Sequence, residues 1–457
     1  MMAFLDSNYL ITNETGLRIF AEIRNLPVVD PHNHANVKEI AENTNYADAW
    51  QLFAATDHYV WEMLRKRNVP ENLITGDAAP KEKFLAMAKI FPELAGNPVY
   101  EWIHLDLKNY FGITEQLCGE SGERIWNEVN AKLATDAYRP QQLLTGPLNV
   151  EVMSSTDDLI DTLEYHKQVN EAVGRVLVRP TWRPDKAMKI FAPGWRDYIH
   201  QVEERFGMKI ESFDDMLEAM TRSHAFFAEN GCRASDHGLE YPVYADCAFG
   251  NVNETFRKAL AGKDLTQSEI DCYMGTFLAE AAALNAETGW VTQLHIGAVR
   301  DVRYSLYESL GPDVGGDVSN HLLDFTPNLV RFLNRFDGRL KVVLYCMDAI
   351  HQMTLATLTR AFGATVSLGS AWWLNDTPIG MRRQLEYIGS IDVLSNFAGM
   401  VSDSRKLLSY GSRFEMFRRV LSDVLGGMVE RGQMPEQIAM ELAARMAYSG
   451  VKSFWNL

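Results

Sequence analysis

Val28-Val29-Asp30-Pro31-His32-Asn33-His34 is the stretch from which the rest of the chain is read. A β-branched pair leads into two histidines spaced i and i+2. Side chains alternate across a strand, so His32 and His34 leave one strand end in the same direction. Two imidazoles on one face, with Asp30 just behind, suit a divalent metal of the zinc or manganese kind. A plain polar turn would have the same spelling, so the assignment depends on what the rest of the chain supplies.

Outward from there, Thr12-Asn13-Glu14 caps a short helix that turns Leu17, Phe20 and Ala21 inward and stops at Leu26-Pro27. Beyond His34 no strand pattern appears for about a hundred residues, far more than a loop accounts for. Residues 35–147 read instead as helices, dense in Trp, Tyr and Phe and broken at Pro70, Pro80, Pro92 and Pro98. From Leu148 a strand–helix rhythm sets in. Strands are predicted at Val150–Met153, Val176–Val178, Arg233–Asp236, Thr292–Ile296, Val342–Cys346, Thr365–Leu368 and Ala398–Ser402. Ser212-Phe213-Asp214-Asp215 and Thr266-Gln267-Ser268-Glu269 resemble capping boxes at intervening helices. With Val28–Asp30 the strands number eight, which predicts a (β/α)8 barrel. An open doubly wound sheet is the alternative, but no G-x-G-x-x-G follows the first strand. The division predicted is residues 1–34 for the N-terminal helix and first strand, 35–147 for a helical insertion over the barrel mouth, and 148–457 for the rest of the barrel.

The 457 residues are 47% hydrophobic and 23% charged, ordinary for a globular protein with ample core. A net charge of −16 argues against nucleic-acid or anionic-membrane partners, which call for basic surface. Cys118, Cys232, Cys247, Cys272 and Cys346 form no C-x-x-C pair, so neither a disulfide framework nor a thiolate metal site is expected. Met1-Met2-Ala3-Phe4-Leu5-Asp6 lacks a cationic start and an apolar run, and no stretch suits a bilayer span. These features predict a cytoplasmic location.

A barrel of this type carries its active site at the C-terminal strand ends. Strand one ends in His32 and His34, the fourth in Ser235-Asp236-His237, the fifth in His295-Ile296-Gly297, and the eighth in Ser402-Asp403-Ser404-Arg405. The predicted ligands of one metal are His32, His34 and Asp403, with His295 as a fourth or as a partner behind them. A bridging lysine carbamate would need a lysine at a strand end; Lys186 lies beyond the third strand, after a proline. The second pattern is arginine. Arg183, Arg300 and Arg405 fall just past strand ends in an acidic chain, and their planar forks match a carboxylate. The alternative for each is a local partner such as Asp185, Asp301 or Asp403. Asp57-His58-Tyr59 reads either as a helix cap with Tyr59 in the core or as a roof segment facing the substrate. Trp372 and Trp373 line an apolar wall of the site or pack behind it.

Taken in order, several motifs carry a resemblance. They include Asp30-Pro31-His32-Asn33-His34, Gly96-Asn97-Pro98, Phe111-Gly112-Ile113 and Trp182-Arg183-Pro184-Asp185-Lys186. Further on come Ser235-Asp236-His237, His295-Ile296-Gly297-Ala298, Leu310-Gly311-Pro312-Asp313-Val314-Gly315 and Asp403-Ser404-Arg405. Together they resemble the uronate isomerase (glucuronate isomerase) family of the amidohydrolase superfamily, from about Asn8 to the C-terminus. The chain departs from that pattern in having Ser402 before the final Asp-Ser-Arg and Met347-Asp348 after the sixth strand.

The resemblance implies an aldose–ketose isomerase of hexuronates, passing a proton between C2 and C1 through an enediol. It implies Asp403 as base, Tyr59 as donor or acceptor on the opposite side, and His58 orienting hydroxyls. Arg405 would grip the distal carboxylate with help from Arg183. Arg300, Asp236, His295 and Trp373 would complete the substrate contacts. The cofactor implied is one divalent ion, zinc first, with manganese, iron or cobalt suiting the same ligands. A homo-oligomer with a small-molecule substrate is expected. A metal-dependent hydrolase with the same ligands is the rival enzyme reading, and a sugar-acid binding module the non-enzyme one.

Overall fold

The computed structural model describes residues 4–457; Met1–Ala3 of the N-terminal stretch lie outside it. Seven parallel strands follow the predicted order. They are β1 (Val28–Asp30), β2 (Val150–Ser154, resuming at Asp157–Asp158), β3 (Val178–Arg179, resuming at Trp182–Arg183) and β4 (Ala234–Leu239). β5 (Val291–Ile296), β6 (Lys341–Cys346) and β7 (Val366–Leu368) complete the set. The pairing runs β1-β2-β3 and then, through the resumed halves of β2 and β3, on to β4-β5-β6-β7. The fold is a (β/α)8 barrel. Val29, Val152, Ala234, Val291 and Val343 project into its centre as one buried cluster, which β-branched alternation along the strands produces.

The fourth strand runs on to Leu239, three residues past its predicted end, and two other predicted strands needed correction. The third lies two residues later than Val176–Val178, and Val176 is exposed, because Gly174 ends the preceding helix with positive φ and delays the strand. The eighth, Ala398–Ser402, makes no ladder. Gly399 has φ +107°, which breaks the extended backbone, and the segment is joined to its neighbours by side chains instead. Val401 N–H donates to Ser370 Oγ, and Ser402 N–H and Oγ–H both donate to the Asp30 carboxylate. Beyond it, Asp403 N–H donates to His32 C=O and His34 N–H to Ser404 C=O. These bonds hold the eighth strand end against the first.

Between β1 and β2 the chain is helical, with no strand among the described residues. Pro80 and Pro98 occupy the first position of helices Pro80–Ile90 and Pro98–Phe111, where a missing N–H costs nothing. The core of this segment is continuous with that of the barrel. In the N-terminal helix, Glu14–Ile23, the buried face is Gly16, Ile19, Phe20 and Ile23, while Leu17 is half-buried and Ala21 exposed. Tertiary packing chose that face: Gly16 lies against Gly426 of helix Ser409–Glu430, so close that a Cβ on Gly426 would fall 2.4 Å from Gly16 N. Cys247 and Cys272 form a disulfide, against the expectation from their spacing, because the fold brings together residues 25 positions apart. No described helix is long and apolar enough to cross a membrane.

Candidate active site

A cleft of about 670 Å³ opens at the C-terminal strand ends. His32, His34, Arg183, His295, Trp372, Trp373, Asp403 and Arg405 line it from the barrel, Arg300 and Asp313 from a loop, and His58 and Tyr59 from the helical segment. Asp57 caps helix His58–Lys66 by accepting from Tyr59 and Val60 N–H, and it also pairs with buried Lys406 at 2.9 Å. The cap reading of Asp57 holds, and the same capped turn places His58 and Tyr59 at the cleft.

One wall is histidine and carboxylate. His32 Nε2 and His34 Nε2 each lie 3.1 Å from Asp403 Oδ1. Neighbouring donors of a tetrahedral zinc with bonds of about 2.0–2.1 Å sit roughly 3.3 Å apart, so the donor set fits one divalent ion. Burial would push the Asp403 carboxyl up, but hydrogen bonds from His32 and His34 hold it well below the usual range. Its Oδ2 accepts from Trp372 Nε1 at 2.9 Å. Asp403 has φ +47°, a left-handed backbone that Asp tolerates better than most residues and that turns the carboxylate towards strand one.

His295 stacks between His32 (4.4 Å) and Tyr345 (4.2 Å). It groups with His32 and Asp236 rather than with His34 and Asp403. Its Nδ1 is 2.7 Å from Asp236 Oδ1, leaving Nε2 buried with no partner. Burial lowers the His295 pKa to about 4, so the ring is neutral at pH 7, with the proton on Nδ1 facing Asp236. Asp236, predicted to touch substrate, lies beneath the cleft wall at 0% exposure. Burial raises its carboxyl, yet Arg183, then His295 and His32, hold it well below the ordinary range. Arg183 is fixed from two sides, Nε to Asp185 at 3.1 Å and Nη1 to Asp236 at 3.2 Å.

A second wall is arginine. Arg300 Nη2 lies 2.6 Å from Asp313 Oδ1 and its Nε 3.3 Å from Asp317, while the guanidinium rests on the Trp373 ring at 4.9 Å. Arg405 bonds the other Asp313 oxygen and places Nη1 2.9 Å from His58 Nε2. Thus Asp313, rather than Asp301 or Asp403, is the local acid that both share. Burial and Arg405 together lower the His58 pKa to about 4, so Nε2 accepts from Arg405 and Nδ1–H is free to donate.

Three residues were not singled out from the sequence. Asp376 accepts from Tyr59 O–H at 2.6 Å and pairs with Arg413 at 2.8 Å, both charges buried. Arg413 also donates to Ser402 C=O and covers the Tyr59 and Trp102 rings. The phenol oxygen accepts from Leu374 N–H, so its hydrogen bonds are directed from two sides. Lys406 ties Asp57 to the eighth strand end. The one hint in the sequence was the run Asp403-Ser404-Arg405-Lys406; nothing local marked Asp376 or Arg413.

The sequence profile of the glucuronate isomerase family matches residues 1–455. The uronate isomerase of Thermotoga maritima is 48% identical over 452 residues, 99% of each chain. Its crystal structure superposes with a TM-score of 0.97, covering 99% of this chain and 100% of that one. The glucuronate isomerase of Caulobacter crescentus superposes with a TM-score of 0.95 at 27% identity, covering 99% and 97%. A match over the whole length, in sequence as in fold, assigns the chain to the glucuronate isomerase family.

Proposed function

We propose that this protein isomerises hexuronates, interconverting D-glucuronate with D-fructuronate and D-galacturonate with D-tagaturonate by moving a proton between C2 and C1. The observation that carries it is one cleft lined by both a candidate metal-ligand group and an arginine group, in a member of this family. A uronate presents a hydroxy-carbonyl at one end and a carboxylate at the other, matching the two walls. The hydrolase reading loses its footing with the family assignment.

In this reading His32, His34 and Asp403 hold one divalent ion, zinc first, with manganese, iron or cobalt suiting the same donors, which when bound supplies Lewis-acid polarisation of the hydroxy-carbonyl. Asp403 is ionised at pH 7 and acts as the base for the C2 proton, its carboxylate oriented by Trp372. Tyr59 meets the substrate from the opposite side; its proton is committed to Asp376, so it presents oxygen lone-pair density unless that bond is exchanged. His58 offers Nδ1–H to a sugar oxygen. The unpartnered His295 Nε2 accepts from a hydroxyl, with Asp236 fixing its tautomer. Arg405 takes the distal carboxylate, Arg183 adds positive charge for the enediolate, and Arg300 with Trp373 borders the anion end. The helical segment 35–147 serves as the roof of the cleft.

One measurement tests the reading: proton NMR of the protein with D-glucuronate in heavy water. The ketose should appear with deuterium incorporated. Binding without product or exchange would overturn it.

A further inference from the structure

We infer that Asp313 is a specificity-determining residue, an internal carboxylate occupying the anion site that the substrate's carboxylate takes over. The inference rests on the reading of Arg405 as the carboxylate clamp. Asp313 spans Arg300 and Arg405, one oxygen to each, as an incoming uronate carboxylate would. The three side chains are 36–45% exposed, so the contacts are screened and exchangeable rather than locked. The backbone is pinned before, at and beyond it: Gly311 N–H donates to Tyr307 C=O at 2.8 Å, Asp313 N–H to Asp301 at 3.2 Å, Arg65 to Val314 C=O, and Gly316 N–H to Glu62 at 2.7 Å. The part that gives way is therefore the Asp313 side chain. A uronate exchanges one carboxylate for another at nearly even charge balance. A neutral aldose, bringing only a hydroxyl, cannot displace a carboxylate from two guanidinium groups. Filling the site from within thus costs the true substrate little and rejects the neutral sugar.

The test is steady-state kinetics of D313N. Asp313 has φ +64°, a region Asn adopts as readily as Asp, so the loop is kept. D313G, which relieves that backbone, is the control variant. Removing the competitor should lower KM for D-glucuronate about two- to tenfold, with kcat within about twofold. The inhibition constant of D-gluconate, a non-isomerisable carboxylate, should fall in parallel, and discrimination against D-glucose should narrow. A raised KM in both variants would show that Asp313 orients the arginines or holds the sugar, and would overturn the inference. Unchanged KM and inhibition constant would also overturn it. If the wild-type protein turned over no uronate, the proposed function would fail instead, whereas the D-gluconate titration would still report on Asp313.

Discussion

The two walls of the cleft are built differently. Asp403 and the His32 and His295 imidazoles come from strand ends, are mostly buried, and are tied to one another and to Asp236 and Trp372. Arg300 and Asp313 come from a loop and, with Arg405, are close to half-exposed. The strand-borne wall is preorganised, as the proposed proton transfer would require, because groups that must meet one carbon cannot shift by an ångström without loss. The arginine wall binds charge through water-accessible contacts that can be exchanged. The two walls should therefore respond to substitution by different amounts and in different kinetic constants.

The largest effect belongs to the rigid wall. Asp403→Asn is nearly isosteric but accepts no proton at neutral pH, so turnover should fall about 10²–10⁴-fold with loss of C2 exchange. Wild-type C2 exchange in a variant that binds D-glucuronate would move the base elsewhere, His58 or Tyr59 first. The same wall sets metal content: elemental analysis should find one equivalent, lost when His32 and His34 are both changed to Ala. Two equivalents would break the mononuclear reading.

Tyr59→Phe should reduce kcat by about two orders of magnitude with KM little changed. Because the Tyr59 hydroxyl is aimed by Asp376, adding Asp376→Asn to Tyr59→Phe should cost much less than it does alone. Additive costs would show that Asp376 acts on structure through Arg413 rather than through Tyr59.

On the exchangeable wall, Arg405→Lys keeps charge but loses the fork. Trading one charged hydrogen bond of about 1.5–3 kcal/mol should lower kcat/KM about ten- to a hundredfold. A change within twofold would exclude Arg405 as the clamp.

The smallest effect tests the joint beneath the roof. Asp106, on helix Pro98–Phe111 and fully buried, has its pKa raised to about 8 by burial, against the pull of Lys406. A carboxyl whose folded pKa is raised contributes stability fully present below its unfolded value near 4, and that contribution is lost as pH rises towards 8. Asp106→Asn cannot ionise, so its Tm relative to wild type should climb between pH 5 and pH 8, by at least about 1 °C. A parallel pair of Tm–pH curves would place the ionisation elsewhere.

How much of this was legible in the chain depends on the range of the interaction. The H-x-H at the end of β1, the strand–helix rhythm, Asp403 and the three arginines were readable because local alternation and strand-end position govern them. The capping role of Asp57 and the box at Thr266–Glu269 were equally local, decided within four residues. The extra length of β4, which puts His237 within a strand, was missed because tertiary pairing with β5 sets it.

What the sequence by itself determined is the barrel and the strand-end positions of His32, His34, Asp403 and the arginines, since these follow from periodicity and residue chemistry at marked positions. What only the tertiary structure decided is which acid meets which base. Asp313 bridges Arg300 to Arg405, Asp376 reaches Tyr59 across 317 positions, Asp30 closes the ring through Ser402, and Cys247 meets Cys272. Such pairings carry no local signature, because a carboxylate's partner is chosen by proximity in a low-dielectric interior and not by distance along the chain.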